Sequence, residues 1–432
     1  MLVKAVLGSA GLRIAGMGFG FLVGMQLARG LGADGYGVYG LAMSIIALLT
    51  VPTEFGLPQL LTREVAAAQV AGDMGRLRGV LHWAARSSFL ISLAVAAVVL
   101  AWLLLSGRGV SSPIGKTLLL GLLMVPIVAQ GNLRAAALRG LQHIVKGQLP
   151  DALVRPALFS LLLFVVPLVF IPLQPALAMG LGAVSAALSL FFAAWMLRRE
   201  MPNINSIEVS KVVSSRTWWS SALPMALTEG MRVLQAHLVI LVLGLMSTVA
   251  MVGVYRVASS VALLMALPVT LFNIVSAPII SRLYAEKDRS RLQPLLAWVA
   301  IAMTVSVLIL AAPFLFSGNF LLEKVFGPEF AEGSTALSIL SLGVVANGSF
   351  GANAALLNMT GHQNRVTRAS GISLALLVII LPVLIKVAGM SGAAFGTSLV
   401  LTVWNFLMWR DALRLLSLDT SIGAFLRFRK VG

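Results

Sequence analysis

Apolar stretches of about 20 residues recur along nearly the whole chain, separated by short segments that carry charge, Pro or Gly. A helix of that length crosses a hydrocarbon core of about 30 Å with its own backbone hydrogen bonds satisfied. The pattern therefore predicts an all-α integral membrane protein with about 12 transmembrane helices. We place them at residues 9–29, 36–56, 83–106, 117–138, 152–171, 175–197, 218–245, 250–277, 295–317, 335–358, 367–386 and 391–410.

The two halves of the chain resemble each other. An offset of 216 residues, half the chain, places Gly37-Val38-Tyr39 on Gly253-Val254-Tyr255 and Pro52 on Pro268. With six spans in each half, both halves enter the membrane from the same side, so the repeat is parallel. We predict two six-helix lobes, residues 1–216 and 217–432, and such a bundle suits alternating access to a site between the lobes.

Composition supports a membrane protein and argues against an enzyme. Hydrophobic residues make up 59% of the chain and charged residues 11%, with a mean hydropathy of +0.96. No hydrophilic stretch is long enough for a separate catalytic domain. The absence of cysteine excludes disulfides and thiolate metal sites, and the four histidines show no ligand spacing. We predict a transporter without catalytic residues, cofactor or metal.

The placement of the basic residues explains the net charge of +17. Most of the 32 Lys and Arg residues fall in segments on the side of the N-terminus. The opposite side holds only Arg29, Arg108, Lys116, Lys324 and Lys386. By the positive-inside rule both termini lie in the cytoplasm, and the charge needs no nucleic-acid partner.

Six ionisable residues lie well inside predicted spans, where charge is costly and usually faces a polar interior. They are Arg13, Glu54, Arg155, Glu229, Arg232 and Arg256. The excess of arginine predicts a cationic interior that suits phosphate groups, since guanidinium binds phosphate oxygens in pairs.

The seventh span carries Thr228, Glu229, Arg232 and Gln235 on one helical face, which we interpret as a wall of the transport path. The predicted substrate-binding residues are Arg232, Arg256, Arg13, Arg155 and Gln235. Glu54 and Glu229 are candidates for carrying a coupling ion, H⁺ or Na⁺. The alternative is structural ion pairing, because Glu229 and Arg232 lie one turn apart, as do Asp151 and Arg155.

The segment Gly30–Gly35 spells GxGxxG, but it follows a helix rather than a strand. Dinucleotide binding requires the strand-to-helix turn, so we interpret the segment as a loop between spans.

Several short motifs resemble the polysaccharide-transport branch of the MOP flippase superfamily, the Wzx-type flippases of O-antigen and other polysaccharides. They are Leu27-Ala28-Arg29-Gly30-Leu31-Gly32, Tyr36-Gly37-Val38-Tyr39, Phe55-Gly56, Arg63-Glu64, Gly253-Val254-Tyr255, Arg282, Gly327-Pro328-Glu329-Phe330 and Gly361. The resemblance covers nearly the whole chain. It implies a V-shaped bundle in the bacterial inner membrane that moves an undecaprenyl-pyrophosphate-linked oligosaccharide to the periplasmic leaflet, usually with ion coupling. It also implies a polysaccharide polymerase as a candidate partner.

Three alternatives remain open from the sequence. A multidrug or cation antiporter of the same superfamily needs acidic groups facing its cationic substrates, whereas the predicted interior is positive. A membrane-embedded polysaccharide polymerase or glycosyltransferase is expected to have a large outer loop or an acidic metal-binding motif, and neither is visible. A non-transporting scaffold would have little use for the buried charges.

Overall fold

The computed structural model describes residues 2–105, 111–169, 172–201 and 215–424. Within these ranges the protein is helical, with fifteen α-helices, one π-helical turn at Pro150–Val154 and one 3₁₀ helix at Pro328–Gly333. The α-helices are α1 Leu2–Glu54, α2 Leu57–Ala71, α3 Met74–Leu105, α4 Pro113–Leu122, α5 Met124–Gly140, α6 Ile144–Leu149, α7 Arg155–Val169, α8 Pro175–Glu200, α9 Ser215–Met246, α10 Val249–Met265, α11 Leu267–Ala285, α12 Arg289–Phe326, α13 Ser334–Ser349, α14 Asn353–Met359 and α15 Gln363–Leu416.

Ten helical stretches of the described chain are long and apolar enough to cross a membrane. Two of them, Gly8–Glu54 and Gln363–Leu416, contain 47 and 54 residues, enough for more than 70 Å of helix at about 1.5 Å per residue. Each is broken by non-helical backbone, at Gly32 in the first and at Ala388 and Gly389 in the second. Each therefore supplies two crossings, which gives the predicted twelve.

The first break is confined to one residue. Gly32 has φ 66° and ψ −178°, a conformation that glycine adopts without a steric penalty. The helix folds back there. The proximity of Gly24 and Tyr36 shows this, since a Cβ at Gly24 would lie 3.6 Å from the hydroxyl of Tyr36. The prediction of a loop over Gly30–Gly35 is wrong, since the remaining residues of this segment stay helical.

Other predicted spans differ from the helices in detail. The third begins at Met74 rather than near residue 83, because the polar start of α3 continues its helix beyond the apolar stretch. The eighth is interrupted at Ala266, after which α11 begins at Leu267 with Pro268 in its first turn. The tenth breaks where Phe350–Ala352 separate α13 from α14. Hydropathy reports which residues suit lipid and does not mark where a helix bends.

The contacts divide the chain into two compact units, one ending at His237 and the other beginning at Leu238. The division falls within α9, so the first two thirds of this helix pack with the N-terminal unit. The lobe boundary at residue 216 stays a prediction.

The first unit has a core in which α9 joins α2, α3 and α5. Trp218 is 4% exposed, and its ring centroid lies 4.9 Å from that of Trp83 on α3. Leu57, Leu60 and Leu61 of α2 are fully or almost fully buried in the same cluster. Helix α2 thus buries one face against the bundle.

Gly56 permits the close approach of α9. Its φ of 70° is in the left-handed region, and a Cβ there would lie 2.5 Å from the carbonyl oxygen of Ala222. No other residue type fits both conditions without displacing the helix.

The second unit is held by polar contacts between distant segments. The side chain of Gln293 on α12 donates to the carbonyl oxygen of Asp419 at 2.6 Å and accepts from its amide at 2.9 Å. The indole of Trp409 donates to the Asp419 carboxylate at 2.9 Å. Asn353 of α14 donates to the side-chain oxygen of Asn405 on α15 at 3.1 Å, and both are buried. These bonds satisfy polar groups that lipid cannot solvate.

The repeated Gly-Val-Tyr triplets occupy comparable environments. Tyr39 is 4% exposed in the first unit and Tyr255 is 3% exposed in the second. Ala42 and Ala258, three residues further on, are fully buried. These tyrosine and alanine positions, shared between the halves, are therefore packing positions.

Candidate functional site

A cavity of about 260 Å³ lies in the first unit between the second half of α1, α5, α7 and α9. We call it the Glu54 cavity. Its polar lining residues are Thr50, Glu54, Asn132, Arg155, Glu229, Arg232 and His237. Its lining includes four of the seven site residues predicted from the sequence, namely Glu54, Arg155, Glu229 and Arg232.

Glu54 is the last residue of α1, just before the chain turns at Phe55-Gly56 into α2. Its carboxylate accepts a hydrogen bond from the side-chain amide of Asn132 on α5 at 2.6 Å. Glu54 is also within electrostatic range of Glu229, Asp151 and Arg232. A half-buried carboxylate is thus held in place by a neutral donor and lies near charges of both signs.

Glu229 and Arg232 form an ion pair one turn apart on α9. The guanidinium Nε donates to one Glu229 carboxylate oxygen at 3.1 Å, and a terminal nitrogen donates to the other. The Arg232 side chain is 70% exposed, so this pair contributes little to folding stability. Its guanidinium is free to exchange the carboxylate for another anion at low cost.

Arg155 begins α7 directly after the π-helical turn Pro150–Val154. Its guanidinium donates to the carboxylate of Asp151 at 3.3 Å, and its side chain is 25% exposed. It lines the Glu54 cavity and an adjoining cavity of about 250 Å³ that Asp151 and Tyr39 also line. The two predicted pairs, Glu229–Arg232 and Asp151–Arg155, are both formed, as the structural alternative expected. Both arginines nevertheless face open space.

His237 is a cavity residue that the sequence did not nominate. Its Nδ1 lies 3.1 Å from the hydroxyl of Ser44 on α1. On α9 it follows Glu229 by eight residues, and Arg232, Val233 and Ala236 complete the same lining face. This spacing on one face of α9 is the feature of the sequence that indicates His237. No comparable feature of the sequence indicates Asn132.

The other three predicted site residues do not line the Glu54 cavity. Gln235 is half-buried on α9 but is not among the residues that line the Glu54 cavity. Arg13 is exposed on α1 and lines none of the cavities described in the first unit. Arg256 belongs to α10 in the second unit, where its carbonyl oxygen accepts from Ser259 and Ser260. Substrate-binding roles for these three stay predictions.

The formal charges of the Glu54 cavity cancel. Two carboxylates face two guanidinium groups, because the predicted cationic excess came from Arg13 and Arg256, which do not line it. The expected cationic interior is therefore not found in this cavity.

The fold defines the class of protein. The chain is a multi-pass membrane protein with the fold of the MOP-superfamily transporters, and its structural similarity is to transporters rather than enzymes. One similar structure is an inward-facing multidrug resistance MATE family transporter of the MOP superfamily, with a TM-score of 0.73, 14% identity, and coverage of 94% of this chain and 98% of that one. Another is the lipid II flippase MurJ in an inward closed conformation, with a TM-score of 0.70, 14% identity, and coverage of 98% and 89%.

A third similar structure is a MOP-superfamily transporter from Pyrococcus furiosus, described as having a binding pocket of reverse polarity. Its TM-score is 0.63, with 15% identity and coverage of 96% of both chains. No curated protein matches the sequence. Residues 2–284 match the polysaccharide biosynthesis protein family, and the chain belongs to that family.

Proposed function

We propose that this protein is a flippase for a lipid-linked oligosaccharide, an undecaprenyl-pyrophosphate-linked polysaccharide or O-antigen repeat unit. It would act by alternating access in a bacterial inner membrane, with both termini in the cytoplasm and the sugar delivered to the periplasmic leaflet. A polysaccharide polymerase there is a candidate recipient of the product. Membership in the polysaccharide biosynthesis family supports the substrate class, and the transporter fold supports the activity.

The observation that carries the proposal is the exposed guanidinium of Arg232 in a cavity between membrane-spanning helices, with Arg155 lining the same cavity. Phosphate oxygens bind guanidinium groups in bidentate geometry, so a diphosphate is a natural ligand for two such arginines. Binding would replace the Glu229 carboxylate on Arg232 by a phosphate. The carboxylate released in this way needs a new partner.

That exchange links substrate to a coupling ion. A carboxylate separated from its arginine is left without its counter-ion, and H⁺ or Na⁺ can take the place of the arginine. Glu54 is the second such group, since Asn132 supplies only a neutral hydrogen bond. Glu54 and Glu229 are therefore our proposed ion-coupling residues.

The experiment is a lipid-transfer assay with the full chain reconstituted into liposomes. A labelled undecaprenyl-pyrophosphate oligosaccharide is placed in one leaflet, and its arrival in the other is followed with and without a proton or sodium gradient. Arg232→Gln and Arg155→Gln are expected to reduce the rate at least tenfold, about 1.4 kcal/mol each. Arg291→Gln is the matched control, because Arg291 forms an exposed pair with Asp288, three residues away, and lies outside the Glu54 cavity. Normal transport by both cavity variants would refute the assignment.

A cation antiporter is the second candidate, because the Glu54 cavity holds as many carboxylates as guanidinium groups. It predicts gradient-driven efflux of a lipophilic cation from the same liposomes. Efflux that requires Glu54, together with no movement of the lipid-linked oligosaccharide, would favour it over the flippase. The polymerase alternative has no support in the structural similarities, which are to transporters.

A further inference from the structure

A larger cavity of about 1140 Å³ lies elsewhere in the first unit, between α3, α5 and α8. We call it the arginine cavity. Arg78, Arg86, Arg134, Arg198 and His82 line it, together with apolar residues that include Leu133 and Leu197. Among the described residues no carboxylate lines it. The cavity thus concentrates positive charge.

The guanidinium group of Arg134, which is half-buried, is held in place by neutral acceptors. One terminal nitrogen donates to the carbonyl oxygen of Gln130 at 2.7 Å and to its side-chain oxygen at 2.9 Å. Gln130, 9% exposed, in turn donates to the carbonyl oxygen of Ala85 on α3 at 2.8 Å. These bonds orient the group and leave its charge uncompensated.

The positive charges also repel one another, since Arg134 and Arg198 are in electrostatic range. Within the described ranges, Arg86, Arg134 and Arg198 form no salt bridge with a carboxylate. Gathering unpaired cations in one cavity costs free energy unless an anion binds there. The arrangement is therefore that of an anion site.

The surface next to the cavity indicates what the anion is attached to. Arg78, His82 and Arg86 follow each other at four-residue intervals on one face of α3. The same face continues with Phe89, Leu90 and Leu93, which are 50%, 53% and 59% exposed. A basic stretch thus leads directly into an apolar stripe on a membrane-crossing helix. This arrangement matches a lipid whose charged headgroup lies at the basic stretch and whose hydrocarbon chain lies along the apolar stripe.

We propose that the arginine cavity binds the diphosphate headgroup of the lipid-linked substrate, with the polyprenyl chain lying along Phe89, Leu90 and Leu93. The diphosphate fits because it carries several negative charges in a small volume, enough for more than one guanidinium group. The site loads the lipid before it reaches the Glu54 cavity. Only the naming of this lipid as the substrate rests on the proposed function.

The test measures binding of labelled polyprenyl diphosphate to the full chain in nanodiscs of neutral lipid. Arg86→Gln and Arg198→Gln are combined, because both side chains are exposed and neither carries a salt bridge. We expect the double variant to bind about 100-fold more weakly, roughly tenfold per arginine, as for charge-assisted hydrogen bonds. Arg199→Gln is the matched control, since Arg199 stacks on Trp195 and does not line the cavity.

Two further probes identify the ligand. Inorganic diphosphate, which lacks the polyprenyl chain, tests how much that hydrocarbon chain contributes to binding. Nanodiscs that contain phosphatidylglycerol test whether any anionic lipid competes. Weak binding of inorganic diphosphate and weak competition by phosphatidylglycerol support the proposal. Equal binding of inorganic diphosphate, or full competition by phosphatidylglycerol, overturns it.

The binding assay and the transport assay can give negative results independently of each other. If wild type and double variant bind polyprenyl diphosphate equally, the arginine cavity is not the site, whatever the transport assay gives. If the wild type binds this lipid, the double variant does not, and neither moves it between leaflets, the headgroup site stands and the proposed flippase activity is refuted. In a working flippase, the double variant should need more lipid for half-maximal transport and keep its maximal rate.

Discussion

The amide of Asn132 donates to the carboxylate of Glu54 at 2.6 Å and so joins the middle of α5 to the end of α1, 78 residues away in sequence. This bond fixes an ionisable group at the wall of the Glu54 cavity. Its donor is neutral, so it positions the carboxylate without neutralising it.

Asn132→Ala is expected to lower stability by about 1–3 kcal/mol, because it leaves a half-buried carboxylate without its donor. It should also reduce the dependence of transport on the ion gradient. Thermal unfolding of the purified protein and the liposome assay measure the two effects. Asn273→Ala is the control, since Asn273 donates only to Val269 in its own helix. Similar behaviour of both variants would show that the bond is unimportant.

The Glu229–Arg232 pair is expected to matter for transport and not for folding. A double-mutant cycle with Glu229→Gln and Arg232→Gln should give a coupling free energy for unfolding below about 1 kcal/mol, because the guanidinium is largely exposed. The same cycle measured on transport rate should give a clearly larger coupling. The pair Asp288–Arg291 is the comparison, and we expect small values for it in both measurements.

Glu64 lies on α2, outside the membrane spans, and makes the stability of the protein depend on pH. Burial raises the pKa of its carboxyl, but hydrogen bonds from Arg76 and Arg63 outweigh burial and hold the pKa below 4.5. A lowered folded-state pKa stabilises the protein above the unfolded value and loses this effect as the pH falls through the folded value. The melting temperature of the wild type should therefore fall below about pH 4.5, the ordinary carboxyl value.

Glu64→Gln tests this assignment. The variant should be less stable at pH 7, by about 1.5–3 kcal/mol for hydrogen bonds to a charged group, and should lose part of the acid-induced decrease. Glu286→Gln removes an exposed pair with Arg282 and serves as the control. An unchanged acid profile in Glu64→Gln would place the pH dependence on other groups.

Gly56→Ala is expected to be more harmful than Gly72→Ala. Both glycines have a positive φ, 70° and 68°, so both substitutions carry similar backbone strain of about 1 kcal/mol. At Gly56 the added carbon also meets the carbonyl oxygen of Ala222 at 2.5 Å, whereas at Gly72 nothing lies within 4 Å. The difference in melting temperature isolates the contact of α9 with the turn between α1 and α2. Equal melting temperatures would show that α9 moves away without cost.

The sequence predicted the features that depend on neighbouring residues. Twelve crossings follow from segment length and hydropathy, and the Glu229–Arg232 pair follows from a spacing of one turn. The contact of Asn132 with Glu54 could not be predicted, because it depends on how two distant helices pack. His237 has no ligand spacing in the sequence, although its position on the same face of α9 as Glu229 places both residues in the Glu54 cavity. The cancelling charges of the cavity likewise depend on packing, which leaves Arg13 outside.

Two successive membrane crossings meet at Gly32 with helix on either side. Almost no polypeptide projects into the aqueous compartment at this end, so an antibody or protease confined there has little chain to bind. A reporter epitope inserted between Arg29 and Asp34 would interrupt both crossings. Accessible tags for topology mapping therefore belong at other connections, such as the exposed turn at Gly72.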